Sequence, residues 1–265
     1  MIRSTLRTLV APMAILVASP FVGFAAPLTG NLSLSTNGTQ VVAVGGTVID
    51  FGYSGPVTPG FPTTTSTPLA VNTAGIFDIG AASTGSFAAL TGTTISVKDL
   101  SAVLQPTGSL VGPGLPLVNF ITFAAQPGWS ITLTQVLNGV FGSAGCTSGQ
   151  GSGDTCTPAG SPFNLINLAG NQVNVSFAFL GTASDGQGNV SSISGTFGTT
   201  FSNTTLQAIY QQIQAGNAVV STASGTIAAS FTPVPEPGSA STLILGAALL
   251  GLGAIGRSVR SRFRR

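Results

Sequence analysis

The sequence predicts an all-β domain, sandwich-like and mostly antiparallel, with one short amphipathic helix near residues 204–215 and a C-terminal transmembrane helix. Three observations carry that prediction. Short apolar runs recur at close spacing, bounded by Gly, Pro, Ser and Asn, which is the pattern of strands rather than of long helices. Leu206, Ile209, Tyr210 and Ile213 fall at i, i+3, i+4 and i+7, the spacing of one helical face. Ser239 to Gly256 carries no charge and would be about 27 Å long as a helix.

The strand signals, in order, are Leu32 and Leu34, Val41 to Val44, Val48 to Phe51, Ile76 to Ile79, Ile95 to Val97, Leu117 to Phe123, Ile131 to Leu133 and Ile227 to Phe231. Val173-Asn174-Val175-Ser176-Phe177 alternates strictly, so one face is buried and the other solvated. Asn37-Gly38 and Asp185-Gly186 sit between such runs and read as hairpin turns. The Pro- and Gly-rich stretches Gly55 to Pro68 and Gln105 to Pro116 read as long surface loops or crossovers. Ser194-Gly195-Thr196-Phe197 recurs as Ser224-Gly225-Thr226-Ile227, and two copies reflect composition rather than a solenoid. Around the helix, Thr204 and Gln207 form a capping box and Gly216 closes the C-terminus.

Charged residues make up 5% of the chain, against roughly 25% in soluble domains, and there is no histidine. Ser-His-Asp and Cys-His catalysis and His-containing metal sites are therefore excluded. Arg3 and Arg7 lie near the start, five arginines crowd the last nine positions, and Lys98 is the one basic residue between them. A single lysine cannot follow a phosphate backbone, so nucleic acid is not a partner.

The two ends read as targeting segments. Arg3 and Arg7 precede an apolar stretch, Leu9 to Val22, which ends in Gly23-Phe24-Ala25-Ala26. This is a Sec-type signal over residues 1–25, cut by signal peptidase after Ala25, since a cut after Ala26 would leave Pro27 just past the bond. Its apolar core is shorter than the ~20 residues a membrane anchor needs. Residues 26–232 form the β-rich body. Residues 239–256 form the span, and Arg257, Arg260, Arg262, Arg264 and Arg265 of the tail at 257–265 stay cytoplasmic by the positive-inside rule, leaving the body outside the inner membrane.

Between body and span, at 233–238, two prolines bracket Glu236 and keep the chain extended and open to a protease. The order Val234-Pro235-Glu236-Pro237-Gly238-Ser239, apolar helix, arginine cluster resembles the PEP-CTERM sorting signal of exported bacterial proteins. The resemblance covers Val234 to Arg265. It implies processing by an exosortase, a membrane transpeptidase-like protease, in bacteria that make exopolysaccharide, with a final location at the cell surface or beyond it.

Candidate chemistry in the body is sparse. Cys146 and Cys156 flank a Gly/Ser loop and, in an oxidising compartment, are expected to form a disulfide. Asp185-Gly186-Gln187-Gly188-Asn189 places oxygen side chains at alternate positions, as in a calcium loop, but lacks the distal bidentate carboxylate, and a Gly-rich turn explains the same residues. Carboxylate pairs for glycoside hydrolysis can be drawn from the aspartates, although the sequence does not say which are adjacent. Gly251 to Gly256 matches a dinucleotide fingerprint by letter but lies inside the apolar span with no preceding strand. Trp129 at a strand start is either core or a glycan contact.

The expected function is therefore that of a non-enzymatic exported protein, structural or adhesive in an exopolysaccharide matrix. No cofactor or metal is expected. Its partners would be the Sec machinery, signal peptidase, an exosortase, the membrane, and exopolysaccharide or further copies of itself, because the body has almost no edge lysines to block lateral association. A carbohydrate-binding module is the alternative, and a glycan-acting hydrolase a more distant one.

Overall fold

The computed structural model describes residues 27–38, 40–55, 63–65, 74–104, 109–148 and 151–230. Ala25, the Val234–Ser239 motif, the apolar span and the terminal arginines lie outside the described residues. In chain order the strands begin with β1 (Gly30–Thr36), β2 (Val41–Val44), β3 (Val48–Tyr53), β4 (Thr63–Thr65) and β5 (Gly75–Ile79). There follow β6 (Thr94–Val97), β7 (Leu100–Ser101), β8 (Gly112–Phe123), β9 (Gln126–Val136), β10 (Thr155–Cys156) and β11 (Asn164–Leu168). The last four are β12 (Gln172–Ser184), β13 (Val190–Ser202), β14 (Ala218–Ser221) and β15 (Ser224–Ser230). A one-turn helix, α1 (Gly145–Ser148), follows β9, and α2 (Leu206–Gln214) follows β13.

Eight of these strands close on themselves. Around the ring the order is β1, β5, β6, β8, β9, β12, β13, β15, every neighbour is antiparallel, and β15 pairs back to β1. The fold is thus an up-and-down barrel in chain order, not a sandwich. Alternation of buried and exposed residues predicts that one face is covered, and a closed sheet and a pair of stacked sheets satisfy that equally. The pairing that decides between them is β12 with β9, from Phe179↔Val136 to Ser184↔Ser130, with a register shift at Leu180/Gly181. The first half of the same β12 edge pairs with β11, which carries β10 outside the ring.

Inside the ring the strands point phenylalanine at one another. Phe197 of β13 lies 5.7 Å from Phe77, 5.6 Å from Phe179 and 5.7 Å from Phe177 between ring centroids. Room for these rings comes from glycine: a Cβ at Gly195 would collide with the Phe179 ring, and one at Gly225 with Phe197. Gly195 and Gly225 belong to the recurring Ser-Gly-Thr segments, which prove to be cross-strand partners, Thr196↔Thr226 and Phe197↔Gly225. The recurrence is a pairing device, not mere composition.

Connections at the two ends of the barrel differ. At one end, called here the terminal end, are the β5–β6 segment with its 3₁₀ turn at Gly85–Leu90, the two-residue β8–β9 turn, the β12–β13 turn at 185–189, and the points where β1 begins and β15 ends. The opposite, insertion end carries the connections that add further strands and helices: β2 to β4, the β6–β8 segment with β7, the disulfide loop with β10 and β11, and α2 with β14. There β4, β14, β2, β3 and β7 form a second sheet. Phe51 of β3 enters the barrel core, with ring centroids 5.1 Å from Phe197 and 6.0 Å from Phe120.

Several local expectations are revised. The Asn37-Gly38 turn closes with Gln40 N–H donating to the Asn37 carbonyl, but it joins strands of different sheets and is not a hairpin. Segments expected as loops contribute β4 and the start of β8, from Gly112. The helix forms where its periodicity placed it, with Leu206, Ile209 and Ile213 buried, but Thr205 rather than Thr204 is the N-cap: its hydroxyl accepts the Ala208 N–H at 3.3 Å. Thr204 instead donates its backbone N–H to the Asn171 carbonyl. At the other end Ala215 is the C-cap, and Gly216 follows with φ of 80°.

Candidate functional site

Because the barrel interior is apolar, the outward positions of the same strands are where polar chemistry gathers. Most of those on β12, β13, β15 and β1 are hydroxyl or carboxamide side chains, with Ala178, Leu180, Val190 and Ala228 among them. Ser33, Thr226 and Thr196 make one cross-strand row, and the Thr196 and Thr226 hydroxyls are 3.0 Å apart. Asn174, Ser176, Ser224 and Gly198 surround a groove of about 350 Å³ beside that row, with no charged residue in its lining. A smaller hollow of about 250 Å³ continues past Thr196 and Thr226 towards Asn31 and Ser194. Apolar inside and hydroxyl-coated outside is the reverse of a membrane-spanning barrel, whose outer band must be apolar. No helix among the described residues is long and apolar enough to cross a membrane.

A separate apolar cavity of about 30 Å³ lies at the insertion end, between Phe177 and Phe201 of the barrel, Ile209 and Ile213 of α2, and Val219 of β14. It is large enough for little more than a water-sized occupant, and its lining gives a water almost nothing to bond.

Every aspartate among the described residues holds backbone or a neighbouring side chain. Asp99 Oδ1 accepts the Phe51 N–H at 2.7 Å, and Asp154 Oδ2 accepts that of Gly151 at 2.7 Å. Asp78 accepts from Asn37 Nδ2 at 2.6 Å. Asp50, buried on β3, accepts the Gly52 N–H at 3.0 Å, and desolvation pushes its carboxyl above the ordinary value with only partial relief from that bond. Desolvation acts in the same direction on Asp185, but there the Asn189 side chain at 2.7 Å and the Gln187 and Asn189 N–H groups outweigh it and hold the carboxyl below its ordinary value. The 185–189 segment is therefore a carboxylate-organised turn, and no group of three or more Cys, Asp or Glu that could hold a metal occurs among the described residues.

Cys146 and Cys156 are bonded, with Cα atoms 5.0 Å apart and both side chains buried. Their loop is tied to the helix in two places. Gln207 Nε2 donates to the Thr147 carbonyl at 2.9 Å, and Asn167, whose backbone pairs with Gly153 and Asp154, accepts the Leu206 N–H on its Oδ1 at 2.9 Å. Asn167 is a residue that sequence reasoning missed, since a lone Asn in an apolar strand gives no signal of capping a helix 39 residues on.

Trp129 has the inward parity of Ile131 and Leu133. Its ring meets Phe87 at 6.2 Å and Phe123 at 6.0 Å, both edge to face, and caps the terminal end while half-buried. The structure does not bring Trp129 to the hydroxyl groove. Tyr210 also packs half-buried against the main core, and Tyr53 against a smaller cluster of Val41, Ala43, Ala218 and Val220.

No protein-family model matches this chain, and searches of curated proteins and of solved structures likewise return no significant match.

Proposed function

We propose that the chain is a non-enzymatic exported protein, sorted through its PEP-CTERM-like C-terminal signal, and structural or adhesive in an exopolysaccharide matrix. One observation supports this reading above the others: the barrel wall is hydroxyl-coated and uncharged at its groove, while each aspartate of the described body is engaged in holding the fold. Carboxylates so engaged serve as scaffold. The disulfide fits an oxidising compartment, which export supplies. A second reading, a glycan-binding module, is favoured by the groove itself, whose hydroxyls and carboxamides could exchange hydrogen bonds with a polyhydroxylated chain.

The sorting half of the proposal is tested by replacing Pro235, Glu236 and Pro237 with alanine in the producing cell. The expected outcome is an uncut, larger form that accumulates in the membrane fraction. A normal mature mass in that variant would overturn the signal.

A further inference from the structure

The first and last strands of the barrel are neighbours: Gly30 of β1 and Ala229 of β15 are Cα partners, so the chain enters and leaves the body side by side. Both points lie at the terminal end, with the 185–189 turn and the β8–β9 turn. From Ser230, where β15 ends, nine residues lead to Ser239, where the uncharged stretch begins. Fully extended they reach about 32 Å. The barrel itself is of similar height, since the 13 residues of β13, tilted as barrel strands are, rise roughly 30 Å.

Resting on the reading that residues 239–256 span a membrane, we infer that the terminal end of the barrel faces the lipid headgroup surface and that the insertion end is presented away from it. A nine-residue tether, with a mean reach of about 17 Å, spans the height of the body only when fully extended, so it does not let the barrel turn over freely. That end carries little charge, since its one charged residue among those described, Asp185, is folded into its own turn. The second sheet, α2 and the disulfide loop are then the parts of the body that meet the surroundings.

The test uses energy transfer from single dye-labelled positions to headgroup-labelled lipid, with the full chain reconstituted in vesicles of phosphatidylethanolamine and phosphatidylglycerol. The two native cysteines are bonded and buried, so an introduced thiol is the one that labels. Gln187→Cys marks the terminal end and Val140→Cys the insertion end, both at exposed positions. Transfer from the first should exceed that from the second at least threefold. A 20-residue Gly/Ser insertion after Thr232, with a mean reach of about 25 Å, should bring the ratio towards one. Equal transfer without the insertion, in a chain that does insert, overturns the orientation alone. A ratio undiminished by the insertion overturns the short tether as its cause. A chain that fails to stay with the vesicles overturns the membrane-span reading and the orientation with it.

Discussion

The two ends of the barrel solve the same problem, closing a tube of phenylalanine, by different means. The terminal end uses two short turns, the 3₁₀ segment between β5 and β6, and a shallow aromatic cap of Phe87, Phe123 and Trp129, with Asp185 holding the 185–189 turn. The insertion end uses long connections that fold into a second sheet, a helix and a disulfide loop, and drives Phe51 into the core. The difference shows that the excursions are part of the barrel's core, whereas the short turns mainly seal it. An end built from non-local pieces also depends on more single residues.

Phe51→Ala should give the largest effect. It removes a ring with 1% exposure that touches Phe77, Phe120 and Phe197, and a loss of about 3–5 kcal/mol is expected. Trp129→Ala, on a half-buried ring at the opposite end, should cost clearly less, about 2 kcal/mol. Denaturant midpoints of a body ending at Glu236 measure both, and an equal or larger loss from Trp129→Ala would break the contrast.

Next comes the disulfide. Replacing Cys146 and Cys156 with serine opens a loop with a sequence separation of 10 and should cost about 3 kcal/mol. Because that loop holds α2 through Thr147 and Asn167, hydrogen exchange should rise in α2 and β11 and stay unchanged in the 185–189 turn. Uniform loss of protection at both ends would mean that they unfold as one unit.

The smallest effect is in the pH dependence, where the two ends should differ in sign. Asp185 at the terminal end has a depressed folded pKa, so its contribution is present above the unfolded value near 3.9 and is lost as pH falls through the folded one. Asp50 at the insertion end has a raised folded pKa. The folded chain therefore binds the proton more tightly, and stability is gained as pH falls from above the folded value to the unfolded one. Asp185→Asn should flatten the acid loss. Asp50→Asn should remove the acid gain and stabilise the body at neutral pH. Unfolding titrations from pH 3 to 7 decide this, and matching slopes in the two variants would refute it.

Much of the wall was legible in the chain. The alternation at Val173 to Phe177 continues along β12 to Ser184, and the helical period at Leu206 to Ile213 is α2. β13 was missed, although it is as long as β12, because its outward and inward positions are mostly Ser, Gly and Thr, and hydrophobic period cannot be read from residues that are not hydrophobic. Its inward Gly195 makes sense only beside the ring of Phe179, which β12 supplies, just as the inward Gly225 of β15 makes sense only beside Phe197 of β13. The same holds for Asn167, whose partner is on α2, and for Trp129, where parity along β9 rather than the residue's chemistry sets its place.

Local chemistry in the chain determined what does not depend on distant partners: the β class, the helix, the uncharged surface, the exclusion of histidine chemistry, and a cysteine pair close enough to bond. These follow from periodicity, composition and short loops, each readable within about a dozen residues. The tertiary structure alone decided that the sheet closes, that Ser-Gly-Thr pairs with its own repeat, and that β1 begins and β15 ends at one end of the barrel while the second sheet, α2 and the disulfide loop fold over the other. Those facts rest on pairings such as β12 with β9 and β1 with β15, and cross-strand register between distant segments is set by the energy of the whole packed core rather than by either strand alone.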